Sequence, residues 1–564
     1  MSQPNASTAL ARALVDELAR HGVSFAAVSP GSRSAALAIA FEEHPGFEVR
    51  VVLDERSAAF WALGRARATC LPAVVVATSG TAVANHLPAV IEADLSSIPL
   101  IAISADRPPE SLHIGANQTI DQVGIFGDRV RWSCDLGPAD PGHDFDTYWR
   151  SAVSQAIARS LGHGHRPGPV HLNVAFREPT VPVTDDGRSG GEIYPFPITG
   201  RAGGGPWQGH SAATAGAALL EAPESPNGLV ICGEGDYEPL ELLEAARNLG
   251  WPVLATAQSG LRGANVVTSY HHLLVAGVPP SLRPGMVVTV GRIGPSDRLG
   301  ALTAIDCPQV SIDRWGLWYD PRRQSTHMVQ GDPASSLAGL AERVGSDPGW
   351  HVQWESADQS MRSTLDEVLA SGGEATGPTL ARSLSDAGWG ALVSASSMPI
   401  RDVDAHTIHG APIIANRGAS GIDGLVSTGL GVATSVPRTV VLAGDLSMLH
   451  DGSGLVCDRL GDVLFVVVDN NGGGLFDLLP QAVHAPGYEK LFVAPHGLDM
   501  ARLLTELGLE ATELGSIDGL ASEIDSRLDQ GGAKALVVSV DREADLKLRR
   551  SLDDAARAVV ADFK

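Results

Sequence analysis

A chain of 564 residues is too long for one hydrophobic core, because cores stop growing at about 250–300 residues and chains then divide into domains. With 44% hydrophobic and 19% charged residues it has the composition of a folded globular chain, not a disordered or fibrous one. A formal net charge of −24 opposes general binding to nucleic acid or an anionic membrane surface, so an anionic substrate needs a local cluster of arginines.

Ser7 to Leu18 alternates charged and apolar residues at helical spacing and predicts an amphipathic first helix; it lacks the unbroken apolar core of a signal peptide. No run of about 18 apolar residues follows anywhere, so no membrane span is expected. Short apolar runs of the kind that form buried parallel strands then alternate with helical patterns: 25–28, 49–53, 73–77 and 99–103. Each run ends in small or polar residues (SPGSRS, DERS, TSGTAVAN, SADRPPE), which places these groups at the carboxyl ends of strands, where open α/β sheets bind ligands. Residues 181–226, rich in Pro, Gly and Ser, read as a linker. Strands are expected next at 228–232, 252–255, 286–290 and 309–312, then a polar connector, then strands at 391–394, 412–415, 439–443, 463–468 and 535–540. The expectation is an α/β chain of three doubly wound parallel-sheet domains, 1–180, 227–345 and 377–564, joined by linkers at 181–226 and 346–376. The first and third blocks read as distant copies of one architecture. The five cysteines are scattered, without a C-x-x-C pair, and fit a reduced, cytoplasmic setting. His163, His165 and His171 sit in a loop entering a strand without a Cys or carboxylate at ligand spacing, so no zinc site is expected.

The strongest local signal is TVVLAGDLSMLHDGSGL followed by VLFVVVDNNGGGLF. Two apolar strands each end in a turn that carries oxygen ligands. The Asp445 carboxylate, the Asn470 amide oxygen and the Gly472 carbonyl suit Mg²⁺, which takes a few hard protein oxygens and completes its sphere with phosphates and water; Mn²⁺ is the alternative. Backbone N–H groups after Asp445 are placed to meet a diphosphate. Here the chain resembles the thiamine-diphosphate enzymes, whose metal and diphosphate motif has this form, although Leu446 stands where many of them carry a second glycine.

The segments SPGSRS (29–34), TSGTAVAN (78–85), SADRP (104–108), GANQT (115–119) and NRGASGIDG (416–424) narrow the resemblance to the thiamine-diphosphate-dependent synthases of menaquinone biosynthesis, and the likeness spans essentially the whole chain. That resemblance implies decarboxylation of 2-oxoglutarate followed by 1,4-addition of the succinyl-semialdehyde carbanion to isochorismate. It implies thiamine diphosphate and Mg²⁺ as cofactors, and a homodimer or homotetramer with the two ends of the cofactor held by different subunits. By the same resemblance Glu55, read as ending the strand VRVVLDE, is the carboxylate set against the cofactor's pyrimidine, where burial would raise its proton affinity. Ser32, Arg33, Arg107, Gln118, Ser397, Arg401 and Arg417 line the substrate region; Arg292 falls where relatives often carry Lys. Thr81, Ile422, Gly444, Leu446, Ser447 and Leu475 face the cofactor, with Ile422 as the bulky residue on which it bends. Phe476 and Leu479 would close an apolar wall, though spacing alone leaves Phe476 equally at home in a helix core.

The chemistry agrees with the resemblance. Both substrates carry two carboxylates, and guanidinium forks bind carboxylates through paired, charge-assisted hydrogen bonds. Arg33 and Arg107 are assigned to isochorismate, Ser397 and Arg401 to 2-oxoglutarate, as a working partition. Two rival readings stand beside this one. A monocarboxylate-specific thiamine-diphosphate decarboxylase or acetolactate-synthase-like enzyme would share Glu55 and Asp445 but need fewer arginines; a non-catalytic descendant of the fold would not need them at all.

Overall fold

Apolar runs that are buried on both faces become central strands, and in the computed structural model they do so in three parallel sheets. The structure describes residues 3–183, 191–211, 216, 225, 227–263, 265–341, 343–345, 347–371 and 373–563. Two units are distinguished: Met1–Ala212 with Asn416–Thr439 and Ser447–Val463, and Ala213–Ala415 with Val440–Leu446 and Leu464–Lys564.

The first unit holds a six-stranded sheet of β1 (Phe25–Val28), β2 (Glu48–Val51), β3 (Ala73–Ala77), β4 (Leu100–Asp106), β5 (Ser133–Leu136) and β6 (Val170–Ala175), in the order β2-β1-β3-β4-β6-β5. Neighbouring strands run parallel. One face is covered by the helices Ala6–Arg20, Ala35–Glu43 and Asp146–Ser160, whose Leu10, Leu14, Leu37, Phe41, Trp149 and Val153 form one core with Val74, Ile101 and Leu172. Asn5 caps the first helix by accepting from the Thr8 N–H in a capping box. Within the same unit the helix Glu55–Thr69 packs on the helix Leu425–Ala433 at backbone contact. A methyl group on Gly64 would strike the Thr428 carbonyl and one on Gly431 the Trp61 carbonyl, so only glycine permits this approach.

The second unit holds two sheets. β7 (Gly228–Cys232), β8 (Val253–Ala255), β9 (Met286–Val290), β10 (Gln309–Asp313) and β11 (His327–Gln330) are ordered β11-β10-β9-β7-β8. β12 (Ala391–Ser394), β13 (Ile413–Ile414), β14 (Thr439–Gly444), β15 (Val463–Asp469), β16 (Glu510–Leu514) and β17 (Ala533–Ser539) are ordered β13-β12-β14-β15-β17-β16. Strand for strand this repeats the order of the first sheet, the shared architecture expected of blocks one and three.

Two expectations change. β2 stops at Val51, and Glu55 is the first residue of a helix that Asp54 caps by accepting from the Arg56 and Ser57 N–H groups, so Glu55 does not end a strand. The connector expected at 346–376 is largely the helix Pro348–Ser371; residues 346 and 372 lie outside the described residues. Its Trp350, Trp354, Ala357, Met361, Leu365 and Leu369 recur every three or four residues and pack with Leu552 and Ala556 of the helix Arg542–Ala561. Its charged outer face is what gave the segment its polar composition. Of the linker expected at 181–226, residues 184–190, 212–215, 217–224 and 226 lie outside the described residues; Val183 bridges Gln3, and Tyr194 is buried with its hydroxyl donating to the His143 carbonyl.

Candidate active site

Both six-stranded sheets reverse direction of winding between their second and third strands in space, β1 and β3 in one, β12 and β14 in the other. At such a switch point the two following loops part and leave a crevice at the carboxyl ends of the strands. In the first unit the loop after β1 carries Ser32 and Arg33, Thr81 opens the short helix Thr81–Ala84 that follows β3, and Arg107 follows β4.

Arg33 is 8% exposed, donating from Nη1 to the Phe176 carbonyl and from Nη2 to Glu178, each at 3.0 Å. Its Nε is buried without a partner, and so is that of Arg107. Burial, and next the neighbouring Arg107, hold the Arg33 guanidinium below its usual value. Two adjacent guanidiniums with unspent donors make a site for an anion. Gln118, at φ 52°, donates to the Ser79 carbonyl at 2.9 Å while the Ser79 hydroxyl donates to the Gln118 carbonyl at 3.0 Å. Ser32, Thr81 and Gln118 are exposed.

Glu55 is half-buried at its helix start. That start is pinned by the segment after Ser447: Arg56 donates to the His450 carbonyl at 2.7 Å, Ser57 to Asp451 at 2.9 Å, and Ser453 to Asp54 at 3.0 Å. Asp451, wholly buried, also accepts from the Ser427 N–H at 2.8 Å, and burial pushes its carboxyl up. The loop bearing Arg417 and Ile422, both half-buried, is held by Glu92: its carboxylate accepts from the N–H groups of Gly418 at 2.9 Å and Ala419 at 2.7 Å. Sequence reading missed Glu92, which lies in no motif, and Asp451, which lies within the 439–455 segment but was given no role; both are far along the chain from partners they hold.

In the second unit Asp445 directly follows β14 and is 2% exposed. Its Oδ1 accepts from the Leu446 N–H at 2.6 Å and its Oδ2 from the Gly472 N–H at 2.8 Å. Asp469, the last residue of β15, and His496 complete a group whose ligand atoms lie within 4.8 Å of one another. His496 Nδ1 accepts from the Leu498 N–H at 3.1 Å, which leaves Nε2 to face Asp445 Oδ2 at 3.3 Å. Burial pushes the Asp445 carboxyl up against the pull of the Gly472 and Leu446 N–H groups, and Asp469 adds to the rise. A divalent cation would relieve that charge, and the oxygen-rich donor set fits Mg²⁺. Of the three expected metal ligands, Asp445 and Gly472 are in contact through the Gly472 N–H. Asn470 sits one residue past Asp469, its amide close over Gly474. Asp469 and His496 were missed; the first reads as a strand end and the second lies outside the motif.

Ser397, in a left-handed conformation (φ 72°), begins the helix Met398–His406, and its carbonyl accepts from Arg401 Nη1 at 2.6 Å. Leu475 and Phe476 lie in the short helix Gly474–Leu478, with Phe476 against Phe492 at 5.5 Å; Leu479 is exposed just beyond. Gly444 and Leu446 are half-buried and Ser447 is buried. Arg292 belongs to the middle sheet, following β9, with its guanidinium 3.5 Å from Glu234 and over the Tyr319 ring.

Residues 8–125 match the family described as thiamine pyrophosphate enzyme, N-terminal TPP binding domain. The chain is 39% identical to the 2-succinyl-5-enolpyruvyl-6-hydroxy-3-cyclohexene-1-carboxylate synthase of Thermobifida fusca, over 99% of this chain and 100% of that protein. It is 40% identical to the synthase of the same name from Rubrobacter xylanophilus, over 97% and 98% of the two chains. The Halobacterium salinarum protein of that name is 36% identical, over 98% and 99%.

Proposed function

The chain belongs to the 2-succinyl-5-enolpyruvyl-6-hydroxy-3-cyclohexene-1-carboxylate synthase family, and from that premise we propose that it decarboxylates 2-oxoglutarate and adds the remaining four-carbon unit to isochorismate in menaquinone biosynthesis. The observation that carries this reading is the full-length likeness to synthases of that name. The neighbouring guanidiniums of Arg33, buried, and Arg107, half-buried, each with a buried and unspent Nε, support it from the chemical side, since they suit a substrate rich in carboxylates.

Thiamine diphosphate, when bound, supplies a carbon nucleophile that takes up a 2-oxo acid and stores the electron pair left by CO₂. The chain's own residues bind, orient and protect. In the first unit, Arg33, Arg107 and Gln118, with Ser32 and Arg417, bind substrate carboxylates and hydroxyls. Glu55 is the carboxylate that would hold a proton towards the cofactor's pyrimidine, and Thr81 and Ile422 are the residues that would hold the ring. In the second unit Ser397 and Arg401 serve the 2-oxoglutarate carboxylates, and Leu475, Phe476 and Leu479 exclude water. Mg²⁺, or Mn²⁺, would be held by Asp445 with the Asn470 amide oxygen and the Gly472 carbonyl, and the diphosphate by the turn of Gly444, Leu446 and Ser447. The Leu446 and Gly472 N–H groups already fix the Asp445 carboxylate in one orientation, so little ordering remains when a cation arrives. Arg292 joins this set on the resemblance alone, given its engagement with Glu234 and Tyr319. A homodimer or homotetramer and a cytoplasmic location complete the proposal.

The test is to combine purified protein with thiamine diphosphate, Mg²⁺, 2-oxoglutarate and isochorismate, following isochorismate absorbance and the product mass. Consumption that requires every component, with an adduct of the expected mass, is the result expected. CO₂ release that is indifferent to isochorismate would instead establish a simple decarboxylase.

A further inference from the structure

Beneath the first sheet's carboxyl edge lies a buried polar network centred on Asn173, which no quoted motif contains. β4 and β6 are neighbours, with Ser104 opposite Asn173. Ser104, Asn173, Gln122 and Asp106 are at most 4% exposed. An asparagine in the middle of a buried parallel strand costs stability unless every polar atom is satisfied, and here every one is. Asn173 Nδ2 donates to Asp106 Oδ2 at 2.8 Å and to Asp135 Oδ1 at 2.9 Å, which fixes which end of the amide is nitrogen. Its Oδ1 accepts from the Ser104 hydroxyl and from Gln122 Nε2, both at 2.9 Å. The Ser104 hydroxyl, its proton given to Asn173, accepts from His171 Nε2 at 2.7 Å.

The two ends of this network reach the site. Gln122 Oε1 accepts the Gly80 N–H at 2.8 Å. Gly80 has φ 85°, and a methyl group there would press on the Gln118 side chain, so Gly80, Ser79 and Gln118 form one tight unit at the start of the turn that presents Thr81. At the other end Asp106 Oδ1 accepts the Arg107 N–H at 2.7 Å. An unbroken run of hydrogen bonds, converging on the Asp106 carboxylate from both sides, therefore joins the backbone of Gly80 to the backbone of Arg107.

We infer that Asn173, with Gln122 and Asp106, positions Arg107 and the Gly80–Gln118 turn relative to one another for substrate binding. The inference rests on the proposed reading of Arg107 as a substrate-binding residue. Asn173 and Gln122 touch no reacting atom; they act through Arg107 and the turn. Gln122 Nε2 also donates to the Ala105 carbonyl at 3.2 Å, which fixes its amide orientation and leaves Oε1 to the Gly80 N–H; losing a buried hydrogen bond along the run loosens the coupling between its two ends.

The experiment is a double-mutant cycle in the cofactor-loaded enzyme, reading KM for isochorismate and for 2-oxoglutarate separately from kcat, with thermal unfolding as a control. Gln122→Met keeps the side chain's length and removes its hydrogen bonds; Asn173→Ala removes the centre and, should it not fold, leaves Gln122→Met to decide. Each is expected to raise one substrate KM by roughly tenfold, and the same replacement in an Arg107→Ala background to change it by less than about twofold, since residues acting through one another are not additive. Additive effects would show a merely structural role and overturn the inference. So would an unchanged KM in Gln122→Met beside a raised KM in Arg107→Ala. An Arg107→Ala enzyme with unchanged KM values would overturn the reading of Arg107 itself, and the coupling with it.

Discussion

Glu92→Gln is expected to loosen the loop 416–424 without disturbing the sheet behind it. Glu92 is 2% exposed, and its two oxygens accept three hydrogen bonds: Gly418 N–H at 2.9 Å and the Ser96 hydroxyl at 2.8 Å on Oε1, and Ala419 N–H at 2.7 Å on Oε2. Arg67 lies 3.6 Å away. Glutamine keeps the shape, but whichever oxygen becomes NH₂ faces an N–H donor, so at least one charge-assisted bond is lost, and a buried backbone donor goes unmet. A hydrogen bond to a charged group contributes about 1.5–3 kcal/mol, so opening of the loop should become easier by about 2 kcal/mol, or roughly thirtyfold in its equilibrium. Because a chain of two units need not unfold in one step, the readout is hydrogen exchange of the peptide covering 416–424, which reports local opening. Exchange there should quicken roughly thirtyfold while peptides of β3 and β4 stay unchanged. Equal protection in the variant would refute the reasoning, because it would mean that the carboxylate charge holds nothing.

Arg33→Ala removes a buried guanidinium whose Nε is unspent and is expected to raise KM for a dicarboxylate substrate by roughly 10- to 100-fold, checked by steady-state kinetics; unchanged values would favour the monocarboxylate rival. Asp445→Ala should weaken Mn²⁺ binding by at least about a hundredfold in a calorimetric titration, since it removes the most buried oxygen ligand, and an unaltered affinity would place the metal elsewhere. For pH, burial pushes the His86 imidazole down to about 3 and that of His171 to about 4. The unfolded chain binds these protons near the ordinary value of about 6.5 and the folded chain does not, so their contribution is complete above that pH and declines below it, by roughly 2 kcal/mol per histidine at pH 5. Thermal unfolding followed from pH 7.5 to 5 should show Tm falling, with a shallower fall in His86→Phe; a flat profile in the native chain would contradict this.

Three strands that the sequence missed share one property. β5, β11 and β16 each lie at the edge of a sheet and carry polar, partly exposed residues: Ser133 and Asp135, His327 and Gln330, Glu510 and Glu513. Edge strands face water on one side and need no apolar run. The central strands, buried on both faces, could hardly be written otherwise than as Val, Ile and Ala. The helix Pro348–Ser371 was legible in its Trp350, Trp354, Ala357 and Met361 spacing, but the charged face dominated its composition. Glu55 was placed one element early, because a strand and the helix that Asp54 caps meet there with only three residues between.

What the sequence by itself determined was the fold class and the reaction family: periodicity is local, and turns such as SPGSRS, NRGASGIDG and GDLSML are contiguous stretches whose chemistry travels with them. Tertiary structure alone decided which residues hold those turns in place. Glu92 meets Gly418 across 326 positions, Ser57 meets Asp451 across 394, and His496 meets Asp445 across 51. A carboxylate at any of these positions looks, in sequence, like any solvated charge; it acquires its role only when folding strips away water and leaves particular N–H and O–H groups as its partners.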